Sequence, residues 1–158
     1  MRIPKGFRLR SLLARDDRGG ALVEMAVAMP IMMIMLTGIF SFSMALYQKL
    51  QLSEAISNGG RYLAASRGQV DPCSLTASSI YTAAPGLAQA NLKLTFTLNG
   101  VSYGSGVTTC PGASSTANSN MVAGGTAQIQ ATYPCSLSVY GLKFASCTLA
   151  SQITENVQ

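Results

Sequence analysis

EMAVAMPIMMIMLTGIFSFSMALYQK, residues 24–49, decides how this chain folds. Between Glu24 and Lys49 lie 24 consecutive residues without a charge, dominated by Met, Ile, Leu, Ala and Phe. At about 1.5 Å per residue a helix of that length reaches about 36 Å, enough to cross the ~30 Å hydrocarbon core of a bilayer. A cleaved secretory signal has a shorter apolar region, about 7–15 residues, closed by a small-residue cleavage site. Here the small-residue stretch of that kind, AVAM, opens the run instead of closing it. The run therefore reads as a transmembrane anchor.

Charge gives the anchor a direction. The chain has 158 residues, 48% hydrophobic and only 11% charged, which is apolar for a soluble domain. Six of its eleven basic residues (Arg2, Lys5, Arg8, Arg10, Arg15 and Arg18) precede the span, against two acids there, Asp16 and Asp17. Only Lys49 and Arg61 follow it closely. Basic residues stay on the cytoplasmic side, so residues 1–19 are expected in the cytoplasm and the later part of the chain is expected to be exported. The basic cluster abuts an apolar segment and, apart from Phe7, has no aromatic residue to stack on bases, which argues against nucleic acid as a partner. The partner it implies is the lipid bilayer.

Cysteine usage agrees with export. Cys73, Cys110, Cys135 and Cys147 all lie beyond the span, in the part expected to face an oxidising compartment. They form no CxxC, and the chain has no histidine, so zinc binding and thioredoxin-like chemistry are not expected. Two structural disulfides are expected. Four cysteines allow three pairings. Cys73 with Cys110 and Cys135 with Cys147 is favoured because each closes a turn-rich loop.

Beyond the span, YQKLQLSEAISNGGRYLAASRG continues in a helical pattern. Apolar or small residues recur at Leu52, Ala55, Ile56, Gly59, Tyr62, Leu63 and Ser66, while Lys49, Ser53, Asn58 and Arg61 take other faces. The adjacent Gly59 and Gly60 imply a bend or a close approach of a neighbour. Pro30, inside the span, is expected to kink or loosen the helix. Gly68 is expected to stop the helix and Pro72 to prevent its resumption. The remainder is rich in Ser, Thr, Gly and Ala. NLKLTFTLNG alternates, with Leu92, Leu94, Phe96 and Leu98 on one face and Asn99-Gly100 as a tight turn. TAQIQATYP and CTLASQITENV alternate more weakly, and ASSTANSN reads as a polar loop. The fold class expected is α+β: a long N-terminal helix, then a small antiparallel sheet of three or four strands packed on the helix extension. Its divisions are 1–19 leader, 20–48 transmembrane helix, 49–67 amphipathic extension and 68–158 exported head.

Catalysis is not expected. Without histidine a nucleophile needs a lysine or carboxylate base, and the exported part offers only the scattered Glu54, Asp71 and Glu155. No glycine-rich loop opens a helix after a strand, and no cofactor is implied. That leaves Glu24. A carboxylate within a span costs about 2.5–3.5 kcal/mol at the centre, less near an end, and is usually paired. No cation follows it within the span.

RGGALVEMAVAMPIMMIML resembles the processing segment of the TadE/TadF family, pseudopilins of the tight-adherence (Tad, Flp-type) branch of type IV pilus machines. The resemblance implies that a prepilin peptidase cuts after a leader glycine and that a glutamate stands fifth in the mature chain. Cutting between Gly19 and Gly20 puts Glu24 fifth; cutting after Gly20 puts it fourth. Pro30 fits the pattern, whereas Met25 stands where a tyrosine or phenylalanine often follows the glutamate. SEAISNGGRYLAASRG is similar to the family's post-membrane helix, through Gly59, Gly60, Arg61 and Tyr62, and residues 126–157 are similar to its closing strands. The implied partners are the prepilin peptidase, other pilins and pseudopilins, and the inner-membrane assembly platform. A pilin-like fold and a structural role follow from the same resemblance. The rivals are an uncleaved single-pass protein with a periplasmic binding head, and a pseudopilin of type II secretion.

Overall fold

The computed structural model describes residues 17–104, 109–110, 112, 120–139 and 142–158. Residues 1–16, most of the basic leader, lie outside them, as does nearly all of the polar loop expected at 113–120. The first element, α1 (Asp17–Ala65), is one helix of 49 residues running through Pro30. The span and its amphipathic extension are therefore one continuous rod. Its most apolar 18-residue window has a mean hydropathy of 2.0, and none of that window is buried. Large apolar residues are exposed along it, among them Leu22, Met25, Ile34 and Phe40. A helix apolar on every face and uncovered by its own chain needs an apolar solvent, and this one fits a single-pass membrane protein.

The C-terminal part of α1 changes character. Leu52, Ala55, Ile56, Leu63, Ala64 and Ser66 are buried, as are Gly59 and Gly60. Tyr62, expected on the buried stripe, is 44% exposed. The buried arc is turned the other way, toward Gly60 and Ala64, because two structures cover it and not one. A sheet takes one side and a second helix the other.

That second helix, α2 (Pro72–Ala83), corrects the expectation that Pro72 keeps the chain from resuming a helix. Proline in the first helical turn has no orphaned N–H to leave unpaired, and its fixed φ suits the helix. Asp71 caps it, its Oδ1 accepting from the Ser74 N–H at 3.1 Å. The same oxygen accepts from the Cys110 N–H at 3.0 Å, tying the later loop to this helix start. α2 buries Cys73, Thr76, Ala77 and Ile80. Gly68, with φ +91°, lies in the left-handed bend between the helices, where a stop was expected.

After a short 3₁₀ turn at Gln89–Asn91, the sheet is formed by β1 (Lys93–Leu98), β2 (Val101–Tyr103), β3 (Thr126–Val139) and β4 (Leu142–Asn156). It is antiparallel throughout, in the order β2-β1-β3-β4. The Asn99-Gly100 turn joins β1 to β2 with φ values of 49° and 83°, the positive pair that a two-residue hairpin demands. In β1, Leu94, Phe96 and Leu98 are buried against the helices, as their alternation implies. On β3, Ala127, Ile129, Ala131, Tyr133 and Cys135 continue the buried face. β3 and β4 are longer than the sequence pattern suggests. β3 passes through Pro134, which lies beyond Thr132, the last β3 residue opposite β1, so the proline sits where one edge of the strand is open.

The cysteines fall into two pairs at disulfide distance. Cys73 and Cys110 have Cα atoms 5.3 Å apart and join α2 to the loop before β3. Cys135 and Cys147 face each other in the β3–β4 register, Cα atoms 5.0 Å apart. The two pairs close loops of 37 and 12 residues. Chain-entropy reasoning gives about 4 and about 3 kcal/mol for loops of those lengths. The unreduced protein should take up no maleimide. Replacing Cys73 and Cys110 by serine should cost the head about 2–4 kcal/mol, read by chemical denaturation.

Candidate anchoring and docking site

Apart from the four cysteines, the candidate site residues fall on α1, in two groups. Gly19, Gly20, Glu24 and Pro30 lie in its N-terminal half, and Gly59, Gly60, Arg61 and Tyr62 lie near its C-terminal end. Gly19 and Gly20 stand near the start of the described part of α1. Each glycine costs about 1 kcal/mol of helix propensity relative to alanine. Two in succession weaken the helix here. Among the described residues, nothing beyond the helix's own neighbouring backbone comes within 4 Å of where a Cβ would stand on either glycine.

Glu24 lies one turn after Gly20, on the same face. Its side chain is exposed on a helix whose surroundings are apolar, and it makes no ion pair with any described residue. Pro30 lies further along, leaving the Ala26 carbonyl without its usual helical donor. The nearest hydroxyl work in this half is local: Thr37 Oγ1 donates to the Met33 carbonyl at 2.8 Å. Among the described residues the acid in the span is thus unpaired.

The two glycines at the other end do different jobs. Added at Gly59, a Cβ would overlap Ile80 of α2; added at Gly60, it would stand 2.8 Å from Ile153 Cγ2 of β4. The adjacent positions point about 100° apart, so one receives the second helix and the other receives the sheet. Close approach, and not a bend, explains the pair. Arg61 and Tyr62 beside them are exposed. Among the described residues no cluster of three or more His, Cys, Asp or Glu is placed to hold a metal ion.

The β3–β4 hairpin runs back along α1 toward the apolar segment. Pro134 and Cys135 come beside Phe40, Met44 and Ala45, and Lys49 Nζ donates to the Ala150 carbonyl on β4. This contact was invisible in the sequence, since 101 residues separate donor from acceptor.

Residues 19–61 match the family model of TadE-like proteins. Over that stretch the chain is similar to TadE-like proteins, in line with the resemblance of its N-terminal and post-membrane motifs. The match begins at Gly19, includes Glu24 and Pro30, and ends on Arg61 after the docking glycines. It covers the anchor and not the sheet. No curated protein and no solved structure matches the chain.

The TadE-like match and the packing make the glycine pair a test of docking. Gly59→Ala should lower the melting temperature of the protein by an amount corresponding to about 1–3 kcal/mol, the usual cost of overpacking. Shortening the opposing residue in the same chain, Ile80→Ala, should recover part of that loss. Simple additivity of the two penalties would show that the glycine is not a contact position.

Proposed function

We propose that this chain is a minor pseudopilin of a Tad-type pilus apparatus, made as a precursor and cut by a prepilin peptidase between Gly19 and Gly20. The observation that carries the reading is the TadE-like match, which starts at Gly19, taken with the lone carboxylate four residues beyond the proposed new terminus. The likeness of that segment to TadE-like proteins supports a part in the Tad pilus, with other pilus components as partners. The role is structural: initiating or priming the filament, or standing at its tip.

The chemistry of the cut explains Glu24. Hydrolysis of the Gly19–Gly20 bond frees an α-amino group on Gly20, whose ordinary pKa of about 8 leaves it mostly charged at neutral pH. This supplies the cation that the span lacks. A neighbouring subunit's Glu24 accepts it, relieving the cost of an ion in a dry environment and setting the axial offset between subunits. No described residue pairs with Glu24, which supports such a contact. The leader stays in the cytoplasm, where its basic residues hold it, and the head stands in the periplasm.

Two measurements test this. Intact mass and N-terminal sequencing of the membrane-extracted protein should give a chain starting at Gly20; a chain starting at Met1 rejects the pseudopilin reading. Glu24→Ala should insert and be processed normally but associate with partner pilins at least a hundredfold more weakly, as loss of one member of a buried pair costs about 3–5 kcal/mol. Pilus assembly at the normal level by that variant removes the registration role.

A further inference from the structure

Beside Lys49, α1 and the edge of β4 leave a cleft of about 500 Å³, lined mainly by apolar surface. Phe42, Ala45 and Leu46 form its helix wall; Cys147, Thr148 and Leu149 form its strand wall. The size lies within the range of pockets that hold small organic ligands. It opens on the side where α1 is clad in exposed apolar residues, with Phe42 at 59% and Leu50 at 68% exposure. The cleft is continuous with the surface that needs an apolar solvent.

The strand wall has a difficulty that narrows the occupant. β4 is an edge strand, so alternate N–H and C=O groups point away from the sheet. Such an edge needs partners for its outward polar groups, which headgroup depth supplies and the middle of the hydrocarbon does not. At the Ala150 carbonyl the deficit is met by the Lys49 ammonium. Lys49 is also the first charge after 24 uncharged residues, so it marks the level where the apolar run meets water. An ammonium has three donors and Ala150 takes one. The others are placed for a phosphate at headgroup depth, as lysines flanking a span characteristically are.

We infer that this cleft binds a phospholipid from the leaflet on the head's side of the membrane, its acyl chain between α1 and the β4 edge and its anionic headgroup on Lys49. The lipid wedges the hairpin against the anchor, and fixes how deep the head sits. Charge complementarity favours an anionic headgroup, and continuity with the span's apolar surface favours an acyl chain over a second protein. The inference rests on α1 crossing a bilayer and does not depend on cleavage or on pilus assembly.

The test uses the full chain in bilayers containing phosphatidylglycerol with a diazirine in its acyl chain. After illumination, reduction and trypsin digestion, lipid adducts should appear both on the fragment ending at Lys49 and on the fragment after Lys143, concentrated at Cys147–Ala150. Lys49→Gln should reduce the β4 adducts at least threefold and leave those between Gly20 and Leu36 unchanged. Adducts on α1 alone would overturn the cleft assignment while leaving the span intact. Unchanged β4 labelling in Lys49→Gln would remove the headgroup contact and with it the proposal. Cross-linking of β4 to a second protein chain in place of lipid would overturn it as well. An absence of adducts between Gly20 and Leu36 would instead reject the membrane span on which it rests.

Discussion

The structure depends on how closely α1 can approach what it carries. A helix axis normally stands 8–10 Å from a packed neighbour, a distance set by the side chains between them. At Gly59 and Gly60 there are none, and Ile80 and Ile153 occupy the space where the missing Cβ atoms would stand. The helix is held from two directions at one level. The buried arc from Leu52 to Ser66, the short second helix and the sheet all take their positions from that contact.

This arrangement separates two requirements along one sequence. Up to Leu36 the helix is exposed on all sides and must satisfy a solvent that offers no hydrogen bonds. Helical backbone does so internally. From Leu52 onward the same helix satisfies a protein core. The short stretch between them carries both Lys49 and the returning hairpin, so polar groups from two distant parts of the chain meet where the surroundings change. Glu24 is the exception in the first region: it is a carboxylate that makes no ion pair with any described residue.

Much of this was legible in the sequence, and the misses have physical causes. The span, the helix beyond it, the alternation of Leu94, Phe96 and Leu98, and the Asn99-Gly100 turn could be read because each is fixed by local periodicity or by one backbone requirement. α2 was missed because its buried residues, Cys73, Ala77 and Ile80, are interleaved with Ser and Thr, so the apolar stripe is faint. Asp71 followed by Pro72 was the available signal: a capping carboxylate before a proline that suits a first turn. Tyr62 was misplaced because a one-sided stripe was assumed where the helix is covered from two sides. β3 runs past the TAQIQATYP alternation, through Pro134, which is tolerated because it lies beyond the last β1 partner. The glycine pair was read correctly as meaningful. Which neighbours filled it was a long-range fact that no local pattern contains.

α1 passes from the apolar stretch into the head without a linker. At about 1.5 Å per residue its 49 residues measure about 74 Å. A head on a flexible tether would be indifferent to the movements of its anchor. This one is mounted on a push-rod: raising the helix by one turn lifts the sheet by the same ~5.4 Å, and turning it swings the sheet through the same angle. A displacement of the anchor is carried to the disulfide-paired head through continuous helix.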